Sequence, residues 1–430
     1  MVSILNYFLG IYISKKTKHH RLLLYIGLIQ GIGGLAFFKY FNFFITSFND
    51  AFQSLGVDFN LHTLNIIIPL GISFFTFKTI SYLLDIDKGK INPTTDIVVF
   101  FAYVSFFPTI LSGPIDKARS FVPQLERKRV FDYYQFTDGL RQILWGLFKK
   151  VVIADNCATF TDLIFANYQG LPAIYLLIGA FLYTVQIYAD FSGYSDMAIG
   201  FSRLIGFDIT KNFDFPFFAQ NIAEFWRKWH ISLTSWLTEY VFTPLNITFR
   251  NYGKFGIILS IIINFTLMGI WHGANWTYVL FGFLHGCYFI PLILRNTVNK
   301  KKRIVKDKLF SSFKELINAL GTFILVMLTF IVFRSNTIWD ASHYYSRLFS
   351  VSFFPIPIPS MTSDKLNGLT LLILISIMFV IEWLGRDQQY AIARLGFKWY
   401  LPLRWLMYYC IILAIFYYFG NGQQFIYSQF

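Results

Sequence analysis

The stretch NFTLMGIWHGANWTYVLFGFLHGCYF, residues 264–289, is almost unbroken apolar sequence with His272 near its centre. The apolar sequence extends to either side, over 255–271 and 274–294, and a segment of roughly 17 to 25 such residues can cross a bilayer. An ionisable side chain at that depth is costly, and is by default a functional-site hypothesis. The glycines around it allow a helix break or the close approach of a substrate chain. The stretch therefore predicts two membrane helices and a candidate catalytic imidazole.

The rest of the chain has the composition of a membrane protein. Of its 430 residues, 55% are hydrophobic and 14% are charged, against about 25% charged in soluble domains. The remaining predicted spans lie near 22–46, 64–84, 172–190, 315–333, 366–384 and 405–420, with a weaker one near 138–154. Two further apolar stretches, 97–112 and 191–207, are interrupted by Gly, Ser, Asp or Pro, and are predicted to be re-entrant or buried. We expect one all-α polytopic membrane domain, 1–430, with about 9–11 transmembrane helices plus re-entrant and interfacial helices.

The net charge of +14 comes from short basic clusters between the apolar runs, such as Lys15–Arg21, Arg127–Arg129 and Lys300–Arg303. Basic residues concentrate in cytoplasmic loops, next to anionic lipid. This rule predicts that a lipid bilayer, and no nucleic acid, is the partner of the positive charge. The internal connections are then 85–96, 208–254, 295–314 and 385–404, and the external ones are 47–63, 155–171 and the tail from Asn421.

The longest internal connection contains NIAEFWRKWHISLTSWLTEYVFTPL, residues 221–245. Its aromatic and leucine side chains recur at helical spacing, which predicts one amphipathic helix with an aromatic face. Asn221 and Glu224 are spaced as an N-terminal cap. Arg227 and His230 lie on a neighbouring stripe. Two interpretations stay open: an interfacial helix in which His230 only packs, or an imidazole that belongs to a site.

The stretch QIYADFSGYSDMAIGFSRLIGF, residues 186–207, carries Gln186 and Asp190 one helical turn apart. These side chains could line a polar path or orient an imidazole, or they could satisfy a broken helix end. For His272 a structural role, bonded to a neighbouring carbonyl, is the alternative to catalysis. His285 is predicted to be a packing residue.

Several kinds of chemistry have no support in the sequence. It contains no GxSxG elbow, HExxH motif, P-loop or glycine-rich dinucleotide fingerprint. The three cysteines are far apart and the seven histidines are scattered. We therefore expect no metal site and no disulfide framework.

Five segments occur in an order that resembles the bacterial membrane-bound O-acyltransferases. They are PLGISFFTFKTISYLLD (69–85), FFPTILSGPIDKARSFVPQL (106–125), DFSGYSDMA from Asp190, FWRKWHISLTSWL from Phe225 and GIWHGANW from Gly269. The resemblance covers about 60–347, with further C-terminal helices near 366–420. It is closest to the branch that contains alginate O-acetyltransferase, with the teichoic acid D-alanyl transferase as a cousin.

The resemblance implies a shell of helices around a central tunnel. It implies that His272 is catalytic and that His230 is a second important imidazole, nearer the cytoplasmic side. The side chains expected to position or bind substrate around them are Asp190, Gln186, Trp226, Arg227, Trp236, Trp271 and Asn275.

The resemblance also implies the substrates and the location. The donor is an acyl thioester from the cytoplasm, acetyl-CoA or an acyl carrier protein, with no tightly bound cofactor. The acceptor is a hydroxyl of an extracytoplasmic polymer or of an acetyl-accepting partner protein. A multi-pass location in a bacterial cell membrane follows. The alternatives are D-alanyl transfer to teichoic acid and, in another class, a transporter that moves acyl groups or lipids without forming bonds.

Overall fold

The computed structural model describes residues 2–57, 61–67, 69–298, 313–350, 367–419 and 422–426. The regular elements within these ranges are helices, and these ranges contain no β-strand. The predicted all-α class is therefore confirmed. The basic cluster Lys300–Arg303 and half of the tail from Asn421 lie outside the described residues.

The first part of the chain forms six helices. They are α1 (Val2–Ser14), α2 (His20–Leu35), α3 (Phe41–Ser54), α4 (Ile72–Asp87), α5 (Ile97–Val104) and α6 (Ala118–Glu126). The π-helical turn Ala36–Tyr40 joins α2 to α3, so that the backbone is helical from His20 to Ser54.

The middle of the chain contains six more. They are α7 (Tyr133–Leu147), α8 (Asp155–Ala166), α9 (Ala173–Leu204), α10 (Ile222–Lys228), α11 (Ile231–Leu237) and α12 (Thr243–Thr248). A π-helical segment, Phe148–Ala154, joins α7 to α8, and a second, Thr238–Phe242, joins α11 to α12. Short 3-10 turns form at Pro216–Phe218 and Arg250–Tyr252. The predicted external connection 155–171 is thus mostly helix, because α8 continues the preceding segment.

The described residues of the last part form seven helices. They are α13 (Gly253–His272), α14 (Trp276–Cys287), α15 (Ile290–Leu294), α16 (Phe313–Arg334), α17 (Ile338–Leu348), α18 (Gly368–Leu384) and α19 (Leu401–Tyr418). Helices α13 and α14 form a closely packed hairpin, and α16 packs against α14.

Within the described residues, six helical stretches are long and apolar enough to cross a membrane. They are His20–Ser54, Ala173–Leu204, Arg250–His272, Trp276–Leu294, Phe313–Arg334 and Leu401–Tyr418. The chain is a multi-pass membrane protein. The larger number of 9–11 spans and the central tunnel remain predictions.

The predicted span 64–84 is wrong at its start, because the helix begins only at Ile72. The residues before it run alongside α3. The side chains of Asn42 and Asn49 in α3 exchange hydrogen bonds with the backbone of Leu64 and Leu61 at 2.8–3.3 Å. These bonds satisfy backbone groups that a helix would otherwise pair internally.

The stretch 97–112 does not cross the membrane, as predicted. Its helix α5 has eight residues, about 12 Å of rise, too short for a span of ~30 Å. Lys90 precedes the stretch and Lys117 and Arg119 follow it, and all three bind the same carboxylate, Glu239. Both ends of the stretch therefore lie on one side.

This cluster stays charged under physiological conditions. Burial by itself would raise the pKa of Glu239, but hydrogen bonds from Lys117, Lys90 and Arg119 outweigh that effect and lower the pKa to about 2. Next to it, the Tyr240 hydroxyl donates to Asp85 at 2.8 Å. The segment Thr238–Phe242, after α11, is thus bonded to α4 and to the chain before and after α5.

Of the two predictions for 191–207, the re-entrant piece is wrong, because α9 runs unbroken from Ala173 to Leu204. The buried piece is confirmed, because most residues of this stretch are buried. Its glycines serve packing against α7. A Cβ at Gly193 would lie 2.8 Å from the Gly146 carbonyl oxygen, and one at Gly200 would lie 2.6 Å from the Gly139 carbonyl oxygen. The two helices approach at these glycines, which a sequence pattern alone does not separate from a helix break.

Gly193→Leu should force α7 and α9 apart, since the new Cβ meets backbone atoms that have no flexible end to move. Overpacking of this kind costs roughly 1–3 kcal/mol or more. We expect a lower thermal unfolding midpoint for the purified protein in detergent. Gly321→Leu in α16 is the matched control, because nothing lies within 4 Å of its Cβ position. Equal midpoints for both variants would contradict the close approach.

Candidate active site

His272 is the last residue of α13 and is buried, with 3% of its surface exposed. The helix stops there because Gly273 takes up an extended backbone and lets the Tyr278 ring approach. A Cβ at Gly273 would lie 2.4 Å from that ring. Asn275 then starts α14 by accepting from the Thr277 N–H at 3.0 Å. His272 therefore sits at the tight turn of a helical hairpin.

A basic residue at the start of α13 predicts on which side of the membrane this turn lies. Lys254, at the start of α13, is exposed and donates to the Leu294 carbonyl at the end of α15. Helix α13 has 20 residues, about 30 Å of rise. The positive-inside rule predicts Lys254 on the cytoplasmic side, and this prediction places His272 toward the opposite side.

Lys39 and Tyr40 hold the end of the His272 helix, and the sequence analysis missed both. Lys39 donates to the Trp271 carbonyl and Tyr40 donates to the Ile270 carbonyl, each at 2.5 Å. The last carbonyls of a helix have no partner within it, and a cation there is favourable. Lys39 could have been found, because it is the single charged residue in the apolar run 22–46.

His230 is also buried, with 1% of its surface exposed, and it lies at a break between two helices. The prediction of one helix over this segment is wrong. The N–H groups of Ile231 and Ser232, which a continuous helix would pair internally, bond instead to Asn212 at 2.8 and 3.2 Å. His230 consequently adopts a left-handed backbone with φ of 45°, which is strained for a residue with a side chain. The predicted cap at Asn221 is confirmed.

Asn212 also fixes the protonation pattern of the His230 ring. Its Oδ1 lies 3.0 Å from His230 Nδ1. The same oxygen accepts from the Ser232 N–H and hydroxyl, at 3.2 and 2.9 Å, and the Asn212 amide group donates to Ser195. An atom that accepts from a backbone N–H must be the amide oxygen, so His230 Nδ1 carries the proton. In the neutral ring the lone pair is then on Nε2.

The Trp271 ring lies near both imidazoles. Its ring centroid is 6.0 Å from that of His230 and 4.9 Å from that of His272. Its indole Nε1 is buried, and no hydrogen-bond partner for it exists among the described residues. A buried donor left without a partner costs about 1–3 kcal/mol. A substrate oxygen would remove that cost.

A stack of rings holds Trp271 in place. Phe77 lies parallel to Trp271 with centroids 5.6 Å apart, and parallel to Trp236 on its other face at 4.2 Å. The Trp236 N–H donates to the Phe77 carbonyl at 3.0 Å. The predicted positioning residue Trp236 thus contacts Phe77, which in turn contacts Trp271.

Trp226 contacts a third buried imidazole. Its N–H donates to His285 Nδ1 at 3.2 Å. The ring of Phe281 lies between His285 and His272, with centroids 4.5 and 6.3 Å away. His285 therefore packs, as predicted, against Trp226 and Phe281, next to the candidate site.

The other predicted residues have different surroundings. Arg227 is exposed and donates to the Val298 carbonyl at 3.1 Å. Asp190 is buried, pairs with Lys150 at 2.7 Å and accepts from the Ile426 N–H at 2.8 Å, which ties the C-terminal region to α9. Gln186 is buried one turn before it. The idea that Asp190 satisfies a broken helix end is wrong, because α9 continues past it.

Comparison with known proteins assigns the chain to a family. Residues 91–328, more than half of the chain, match the model of the membrane-bound O-acyltransferase family, MBOAT. The chain belongs to this family. The matched region includes both His230 and His272. The predicted enzyme class, O-acyltransferase, is therefore confirmed.

Similar proteins cover most of this MBOAT chain. It is 34% identical over 397 residues to the probable alginate O-acetylase AlgI of Azotobacter vinelandii, covering 91% of this chain and 75% of that protein. It is 35% identical over 367 residues to the peptidoglycan O-acetyltransferase of Helicobacter pylori, covering 79% and 67%. It is 31% identical over 301 residues to the teichoic acid D-alanyltransferase of Streptococcus thermophilus, covering 63% and 69%.

Asn212 should act on acyl transfer through His230, and the pH dependence of the rate should reveal it. Asn212→Asp places a carboxylate beside Nδ1 and stabilises the charged imidazolium. We therefore expect the acidic limb of the rate profile to move to higher pH. Asn212→Ala should lower kcat and leave the profile in place. Asn167→Asp, at an exposed helix end, is the control. An unchanged profile in Asn212→Asp would contradict the role of Asn212.

Proposed function

We propose that this MBOAT enzyme transfers an acetyl group from a cytoplasmic thioester to hydroxyls of an extracytoplasmic polysaccharide, directly or through an acetyl-accepting partner protein. The relatives named as O-acetylases or O-acetyltransferases align with 91% and 79% of the chain, whereas the D-alanyltransferase aligns with 63%. This difference favours acetyl over D-alanyl. The host is a bacterium and the location is its cytoplasmic membrane, with acetyl-CoA or an acyl carrier protein supplying the thioester.

The observation that carries the proposal is the pair of buried imidazoles, His230 and His272, near the Trp271 indole. In the proposed reaction His272 accepts the proton of the acceptor hydroxyl. The hydroxyl oxygen attacks the thioester carbonyl carbon, and the negative charge moves to the carbonyl oxygen. Trp271 Nε1–H donates to that oxygen. General-base help of this kind contributes about 10²- to 10⁴-fold to the rate.

The tetrahedral intermediate then collapses. The carbonyl re-forms, the carbon–sulfur bond breaks, and the thiolate takes the proton from the His272 imidazolium. The products are an ester and a thiol. No oxidant or external proton donor is needed.

His230 has a separate task in this scheme. Because Asn212 holds its proton on Nδ1, neutral His230 offers only an acceptor at Nε2. An acceptor of this kind can orient an N–H or O–H group of the donor. Its strained backbone, set by Asn212, fixes where that acceptor lies.

His272→Ala should abolish most of the transfer while leaving the protein inserted. We expect a loss of at least about 10²-fold in acetyl transfer, measured as label passing from acetyl-CoA or an acetylated carrier protein to a polysaccharide hydroxyl in detergent. His62→Ala, on an exposed segment, is the matched control. Wild-type transfer by His272→Ala, at an equal amount of protein, would remove His272 from the catalytic role.

The same assay shows which acyl group the enzyme transfers. Wild-type enzyme supplied with an acetyl thioester and, separately, with a D-alanyl carrier thioester should use the acetyl donor. Preference for the D-alanyl donor would replace this proposal by its alternative.

A further inference from the structure

A polar cavity of about 330 Å³ opens at the end of α16. Its volume falls within the range of small-molecule sites, roughly 300–1,000 Å³. The wall comes from α8, α16 and α17 and from the residues that join α16 to α17. The lining side chains used below are Asp162, Phe165, Tyr168, Arg334, Asn336 and Asp340.

The cavity shares a wall with the catalytic turn. Arg334 follows Phe333, whose ring lies 5.2 Å from the His272 ring between centroids. The Asn336 carbonyl accepts from the side chain of Asn275, three residues after His272, at 2.7 Å. The ends of α13 and α16 therefore meet here, on the side opposite the basic residues at the starts of these helices. This is the extracytoplasmic side, from which the acceptor must come.

The charge of the cavity is unbalanced. Arg334 supplies one positive charge and pairs with Asp162 at 2.8 Å. Asp340 supplies a second negative charge, and is held by the Tyr168 hydroxyl at 3.1 Å and by the cap of α17. The three side chains sum to −1, because one cation faces two carboxylates.

The carboxylate of Asp162 is placed to receive a ligand. Its side chain is 54% exposed. An ionised carboxylate has about four acceptor positions, and the bond from Arg334 occupies one of them. The ring of Phe165 forms an apolar wall beside it, with the Arg334 guanidinium 5.5 Å from the ring centroid.

We propose that this cavity binds a neutral, hydroxyl-rich glycan segment, the part of the acceptor polymer next to the hydroxyl that is acylated. Sugar hydroxyls donate to Asp162. A uronate segment would bring its own carboxylates against a net charge of −1, and like charges placed together are costly. This inference rests on the proposed function, because it assigns the cavity to that reaction's acceptor.

The test measures binding by calorimetry to the full-length protein in detergent, with no thioester present. The probes are chitotetraose, which is neutral, and tetramannuronate, which is anionic. Wild-type protein should bind chitotetraose at least about tenfold more tightly than tetramannuronate. A preference for tetramannuronate, or no binding of chitotetraose, would overturn the proposal.

Asp162→Asn should change the two affinities in opposite directions. It replaces a charged acceptor by a neutral one, so chitotetraose should bind roughly tenfold more weakly. It also brings the net charge to zero, so tetramannuronate should bind more tightly. Asp50→Asn, an exposed aspartate on α3, should change neither affinity. Unchanged affinities in Asp162→Asn would overturn the proposal.

A second variant covers the case in which loss of the Arg334 pair unfolds the protein. Asn336 serves the turn through its backbone carbonyl, so Asn336→Ala leaves the bond from Asn275 intact. Chitotetraose should bind severalfold more weakly to this variant. An unchanged affinity would overturn the proposal.

The proposed function and the proposed glycan binding in the cavity can be refuted by separate results. His272→Ala should bind chitotetraose as wild type does, because His272 is outside the cavity lining. Glycan binding that responds to Asp162→Asn without any acyl transfer supports the cavity and refutes the function. Transfer to a polysaccharide with no effect of Asp162→Asn on binding refutes the cavity alone.

Discussion

A helix that ends inside protein at membrane depth must have its last carbonyls satisfied without bulk water, and the structure around His272 depends on this constraint. Lys39 and Tyr40 supply the donors for the carbonyls of Trp271 and Ile270. Their bonds join the first long membrane helix to the hairpin of α13 and α14. An ammonium group is thereby fixed at the carbonyl of the residue before His272, the proposed catalytic imidazole, at the negative end of a helix dipole. The same contacts that stabilise the helix end therefore also set the electrostatics of the site.

His230, the second histidine, is positioned by hydrogen bonds to Asn212, which again satisfy backbone groups at a helix end. Asn212 takes hydrogen bonds that would otherwise close a helix, and so creates the break at which His230 sits. Stacked rings from α4 and α11 then hold Trp271 near both imidazoles. The candidate site is thus assembled from four separate parts of the chain, each tied by bonds to backbone atoms.

The class of protein and the family could be predicted from sequence, because apolar length and motif order are local properties. The two predicted histidines both lie near Trp271 in the structure, and their roles stay predictions. The predictions were wrong where tertiary contacts decide whether a helix breaks or continues. The glycines of α9 were interpreted as a break, yet they allow α7 to approach. The aromatic spacing around His230 suggested one helix, because nothing local signals that Asn212 will bond to Ile231 and Ser232. Lys39 carried a usable signal as a lone charge in apolar sequence, but its partner lies 232 residues away.

The central claim is that the thioester carbonyl lies between Trp271 and His272 during the reaction. An experimental structure of the protein with a ketone analogue of acetyl-CoA, in which a methylene group replaces the reactive sulfur and the carbonyl is kept, tests it most directly. The account predicts the analogue's carbonyl oxygen within hydrogen-bond distance of Trp271 Nε1, with the His272 ring beside the carbonyl carbon. An analogue bound with its carbonyl elsewhere, and with His272 packed only against lipid or side chains, would contradict it.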